Sequence, residues 1–198
     1  MPNEYKKSYE TLYAMIGFLG MILPVIDVWK CGWITPPSIS ESYYLGAIVP
    51  FTCILFSLGI IFFCNQGFDA IDTWANRISG AAAIGVVSFP CDGANPYPYI
   101  HYASAVVLFL TFAVMCIIFT DKRSNSSWGY KTMTETELKP TKKRRNSIYI
   151  VCSTSITLGL CAVALKLVSI YWGEVWMLES FGFAYMVQGK VFKFLNDK

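Results

Sequence analysis

"LYAMIGFLGMILPVI", residues 12–26, is the stretch whose reading decides the fold. Lys6 and Lys7 precede it, so it has the outline of a secretory signal. The residues that follow are Asp27, Val28, Trp29 and Lys30, which supply no small-x-small cleavage site. A lipoprotein signal fails as well, because Trp29 and Lys30 stand where small residues would precede Cys31. The stretch therefore reads as an uncleaved membrane-crossing helix. A bilayer core about 30 Å thick requires about 20 mostly apolar residues to cross it.

Working outward, five further stretches meet that requirement. The expected spans are 9–28, 44–64, 73–89, 99–120, 147–169 and 175–194. The composition agrees: of 198 residues, 55% are hydrophobic and only 15% charged, against about 25% charged in a soluble domain. The sequence predicts an all-α integral membrane bundle of six transmembrane helices, forming a single domain over 1–198. The third span is the least hydrophobic, and Glu179 and Gln188 interrupt the sixth, so a four- or five-span chain is the alternative.

The cations orient the bundle. With both termini cytoplasmic, only Lys30 and Lys166 fall on the outer side, and the other fourteen of the 16 lysines and arginines fall inside. Residues 121–146 form the one long polar loop, expected to be a flexible cytoplasmic connector ending in Lys142-Lys143-Arg144-Arg145. That run suits anionic lipid headgroups. No folded domain surrounds it, so nucleic acid is not an expected partner. The expected partners are membrane lipids and a second copy or a larger membrane complex.

Helix ends are legible too. Ser38-Ile39-Ser40-Glu41 has capping-box spacing for the second helix. Asn65 and Gly67 can end that helix, and Asp69 or Asp72 can cap the third. The third helix carries Ser79, Gly80, Ala81, Ala82, Ala83 and Gly85, small residues that permit close approach in lipid. It is expected at the packed centre of the bundle, or at a homodimer seam.

Charge at membrane depth demands a partner or a purpose. At the inner end, Asp69, Asp72, Arg77 and Arg145 are expected to form a structural clamp, with a phosphate or lipid headgroup site as the alternative. At the outer end, Asp27, Tyr43, Tyr44, Asp92, His101, Lys166, Glu174 and Glu179 come together by topology. The ligand-binding candidates among them are His101, Glu179, Tyr43, Tyr44, Asp92 and Lys166. An interfacial belt of Tyr and Trp with solvated charges is the plainer reading of the same residues. His101, the only histidine, lies in "FPCDGANPYPYIHY", 89–102, where Pro90 ends the third helix and Pro98 starts the fourth. It is expected either on the floor of an outer polar pocket or hydrogen-bonded to a loop carbonyl. Cys31 and Cys91 are the two cysteines expected to reach an oxidising compartment, and are read as a candidate disulfide.

One histidine cannot supply the three-histidine site of a membrane zinc hydrolase, nor two axial ligands for haem. Walker, HExxH, CxxC and nucleophile-elbow motifs are absent from the sequence. No metal and no cofactor is expected. Three functions remain. The first is a non-enzymatic protein that binds or senses a lipid or small amphiphile, or serves as an accessory subunit. The second is a membrane-embedded enzyme using His101 with an outer carboxylate. The third is a small transporter or ion pathway.

The order "SISESYYLGAIVPF", "NQGFDAIDTWANRISGAAAIGVVSFP", "IHYASAVVLFLTF", "RRNSIYIVC" and "ESFGFAYMVQGK" resembles a family of uncharacterised bacterial six-helix multi-pass membrane proteins. More distantly it is similar to the Frag/DRAM/Sfk-like membrane families. The resemblance implies a bacterial inner membrane, six helices, and weight on Tyr43, Tyr44, Asp69, Asp72, His101 and Glu179. The long basic loop and the Cys31/Cys91 pair lie outside its pattern.

Overall fold

The structure is a computed structural model that describes residues 3–67, 70–92, 96–120, 123–126, 129–132 and 139–196. Six α-helices account for most of them: α1 Asn3–Lys30, α2 Ile48–Cys64, α3 Ala70–Ser88, α4 Pro98–Ile118, α5 Pro140–Ala164 and α6 Ile170–Gln188. Short 3-10 turns occupy Ser40–Leu45 and Lys193–Leu195. Between α4 and α5, Arg123–Ser126 pairs antiparallel with Gly129–Thr132 as a small hairpin. Three segments are long and apolar enough to cross a membrane: Lys7–Lys30, Pro98–Ile118 and Pro140–Ala164. Ile48–Cys64 is apolar but shorter.

The expected helix ends shift in two places that matter. α5 starts at Pro140 rather than at Ser147, because proline is favoured at a helix's first position. Lys142-Lys143-Arg144-Arg145 is therefore helical and not part of the connector. α6 starts at Ile170 rather than at Val175, with Ser169 in extended conformation before it.

Residue pairings along each seam give the topology. Glu10 meets Lys190 in an ion pair, Gly17 lies against Gly182, and Tyr171 donates to the carbonyl oxygen of Pro24. One number rises as the other falls, so α1 and α6 are antiparallel. The same descending register joins α2 to α3, α3 to α4, α4 to α5 and α5 to α6. The helices thus form an up-and-down ring in sequence order, closed where the last helix meets the first.

Backbones approach most closely at glycines. A Cβ on Gly80 would lie 2.5 Å from the amide nitrogen of Phe63 and 2.6 Å from the carbonyl oxygen of Gly59. The α1–α6 seam repeats the arrangement: a Cβ on Gly17 would lie 2.5 Å from the Gly182 carbonyl oxygen. Ser79 and Ala83 are fully buried, but α3 is a stave of the ring and not its centre. Its small residues serve two seams, Gly80 toward α2 and Gly85 toward Ser104 of α4, and its other face leaves Ile71, Trp74 and Ile78 exposed.

Aromatic rings fill the middle. Phe112 and Phe181 stack with centroids 3.6 Å apart and planes 14° from parallel. Phe62 packs edge-on to Phe181 and Tyr185. Tyr13, Phe119 and Tyr149 continue the cluster toward the end that carries Arg145. Outside the ring, Phe18, Phe56, Leu110, Val151, Leu158 and Trp172 are exposed.

Gly80→Ala should force α2 and α3 apart against backbone atoms that cannot rotate away. Overpacking of this kind costs about 1–3 kcal/mol. A lower melting temperature in detergent is expected, whereas Ala81→Leu on the exposed face of α3 should leave melting unchanged.

Candidate functional site

At the end of the ring where α3 meets α4, the segment after α1 folds back over α6. Tyr171 donates its backbone N–H to the carbonyl oxygen of Pro37 at 3.1 Å. Ile39 donates its backbone N–H to Glu174 Oε2 at 2.6 Å. Glu41 N–H donates to Ser38 Oγ at 3.0 Å, so the expected capping interaction forms. It starts the 3-10 turn instead of α2, because Gly46, at φ +112°, breaks the chain direction before Ile48.

This strap roofs a cavity of about 190 Å³. Ala105, Val106 and Phe109 of α4, Leu160 and Val163 of α5, and Ile170 and Met177 of α6 make its apolar wall. Ser38, Ser40, Glu41, Glu174 and His101 make its polar pole. A narrow crevice lined by His101, Tyr43, Tyr44 and Cys91 adjoins it. Apolar lining with a few convergent polar groups is the usual make-up of a small-ligand site.

His101 is 3% exposed. Its Nδ1 lies 2.9 Å from the Val86 carbonyl oxygen and 2.8 Å from that of Phe89. Both neighbours are acceptors, so Nδ1 carries a hydrogen and donates. The carbonyls belong to the last turn of α3 and to the residue just after it, where helix geometry leaves acceptors unused. Pro98 in the first turn of α4 brings the ring beneath them. His101 thus serves a carbonyl anchor and the cavity lining at once.

Asp27, in the last turn of α1, is fully buried, and neither carboxylate oxygen has a hydrogen-bond partner among the described residues. The nearby Ser42 hydroxyl donates instead to the Ile39 carbonyl oxygen at 2.6 Å. Tyr171 and Glu174 lie within electrostatic reach of Asp27.

The other expected site residues distribute as follows. Tyr43 and Tyr44 pack edge-to-face at 4.9 Å and line the crevice. Asp92 is half-buried beside Tyr44. Lys166 is exposed in the turn after α5, at φ +57°, and does not line the cavity. Glu179 is absent from the lining, and Glu174 stands there instead. Five residues of helix turn a side chain about 140° around the axis, so only one of the two carboxylates can face the cavity. Starting α6 five residues earlier selects Glu174. Glu41 and Ser38 also line the site; in the sequence their capping spacing accounted for them without a ligand.

Cys31 and Cys91 are both free, so the expected disulfide does not form. Cys31 is buried with its sulfur 3.9 Å from the Ser42 carbonyl oxygen, while Cys91 turns to Tyr44. Burial raises the pKa of both thiols, with a further push from Asp27 on Cys31 and from Glu41 on Cys91. Among the described residues, no three His, Cys, Asp or Glu side chains gather as metal ligands.

At the opposite end, Asp72 Oδ1 accepts from Asn76 Nδ2 at 2.9 Å, and Asn65 Nδ2 donates to Asn76 Oδ1 at 3.0 Å. Arg77 lies over the Trp74 ring at 5.5 Å on the exposed face. Arg145 donates to the Leu195 carbonyl oxygen at 2.6 Å. The arginines of the expected clamp thus hold an indole ring and the C-terminal strap. Asp69 lies outside the described residues. A broad surface groove of about 720 Å³ runs past Asn65, Trp74 and Arg77.

Two outcomes are expected. His101→Phe should strand one buried carbonyl, that of Val86, and one half-buried carbonyl, that of Phe89, at a cost of about 1–3 kcal/mol, seen as a lower melting temperature. Alkylation under non-reducing conditions followed by mass spectrometry should recover Cys31 and Cys91 as free thiols. Their raised pKa should make labelling slow near neutrality and faster as pH rises. Compared with protein-family models, with curated proteins and with solved structures, the chain matches none.

Proposed function

We propose that this chain is a six-span protein of a bacterial inner membrane, with both termini cytoplasmic, that binds a lipid or small amphiphile without chemically changing it. The cavity roofed by residues 37–41 carries this reading. Its apolar wall suits a hydrocarbon chain, and its polar pole suits a headgroup near the membrane surface. Six antiparallel helices put Lys142, Lys143, Arg144, Arg145, Lys190 and Lys193 at one end of the ring, in keeping with the positive-inside rule. The cavity then opens on the outer side.

Aromatic packing supports a binder over a transporter. Phe62, Phe112, Phe181 and Tyr185 fill the middle of the ring, where a transporter would need a polar route. The ring nitrogen that faces Val86 and Phe89 is committed to backbone carbonyls. That gives His101 a positioning task and weakens its candidacy as a general base.

Native mass spectrometry of protein purified in mild detergent tests the proposal. A co-purifying or added amphiphile should appear as a bound adduct, and Ala105→Phe, which fills the cavity, should remove it. An adduct that survives this substitution would place binding elsewhere and defeat the proposal.

A further inference from the structure

We infer that the cavity selects a single-chain amphiphile with a primary ammonium head. This rests on the binding reading above and names the class of ligand. The argument is one of unmatched charge. Glu41 and Glu174 line the polar pole, and no lysine or arginine lines the cavity. Glu174 Oε2 takes the Ile39 amide, while its Oε1 has no hydrogen-bond partner among the described residues. The Glu41 carboxylate accepts no hydrogen bond from the described residues, although its backbone N–H is held by Ser38.

Behind them lies Asp27, fully buried, with neither oxygen hydrogen-bonded among the described residues. Carboxyl groups gathered at the edge of a low-dielectric interior call for a compensating cation or for protons. Nδ1 of His101 is spent on two carbonyls and so is not available to a ligand. The pole is therefore rich in acceptors.

An ammonium group brings three N–H donors and a positive charge, and so complements that pole. An anionic head would meet like charge. A quaternary ammonium has no N–H to give and is best held by a cage of aromatic faces, whereas only Phe109 and Tyr102 are aromatic in the lining besides His101. The wall beyond the pole is mostly aliphatic, with Val106, Leu160, Val163, Ile170 and Met177, and suits one hydrocarbon chain. The strap supplies both the roof and Glu41, while α6 supplies Glu174. Selectivity thus depends on the fold-back of residues 37–41 onto α6.

The test uses the full chain in phosphatidylcholine nanodiscs, titrated with dodecylamine, dodecanol, dodecanoic acid and dodecyltrimethylammonium. Dodecylamine should raise the melting temperature more than the other three. Glu174→Gln keeps an oxygen for the Ile39 amide, and Glu41→Gln alters a side chain outside the helix seams. Each should weaken dodecylamine binding roughly tenfold, the scale of one charge-assisted hydrogen bond. Equal responses to dodecylamine and dodecanol would overturn the ammonium inference while leaving the cavity as a binding site. A preference for dodecanoic acid would do the same. Dodecylamine binding that is unchanged in Ala105→Phe, or no response to any of the four, would overturn the cavity reading and this inference together.

Discussion

Close approach of helix backbones is the constraint on which the rest of this structure depends. Lipid chains are as apolar as leucine, so burying apolar surface gives helices in a bilayer little reason to associate. Attraction must come from packing at short range. Gly59 with Gly80, and Gly17 with Gly182, allow it on two seams. With those seams tight, the ring closes at a radius that Phe62, Phe112, Phe181 and Tyr185 can fill. The stacking of Phe112 on Phe181 then ties α4 to α6 across the interior.

Polar groups are sorted by the same closure. With the middle packed by rings, side chains that need hydrogen bonds gather at the two ends. One end holds the Asn65, Asp72 and Asn76 network and the Arg145 contact with the C-terminal strap. The other holds His101, Glu174, Glu41 and Asp27. The first end leaves single amide oxygens, Asn146 Oδ1 and Asn196 Oδ1, without a hydrogen-bond partner among the described residues. The second retains carboxylate oxygens with nothing to accept from, and it is there that the cavity lies. A buried polar group without a partner is costly, and a buried carboxyl group more so than an amide oxygen.

Much of the fold was legible in the sequence, and the reasons are physical. Twenty-residue apolar runs, Pro90 and Pro98, and the small residues of α3 each act locally, so reading them one at a time located the six helices. The ring order was not legible, because it depends on which seam each small residue serves. Gly80 turns to α2 and Gly85 to α4, and no pattern within α3 announces that split. The site was legible in kind but not in residue. Its region and His101 followed from topology. The choice between Glu174 and Glu179 hung on where α6 begins, since a shift of five residues turns the helix face well away. Glu41 was hidden by its own capping geometry, which accounts for it without any ligand. The Cys31/Cys91 pairing failed because compartment says which thiols could meet, while the fold of 31–46 decides where each one points.

Ring closure also has a consequence for biosynthesis. Chains emerge from the ribosome N-terminus first. α1, a segment long and apolar enough to cross a membrane, is therefore made long before its neighbour across the final seam exists. Gly17 has no Gly182 to rest against, and the carboxyl group of Asp27, later enclosed beside Tyr171 and Glu174, has only lipid, headgroups or water around it. During that interval α1 is an incomplete helix with a polar group near its end. The last helix made is the one that finishes the first.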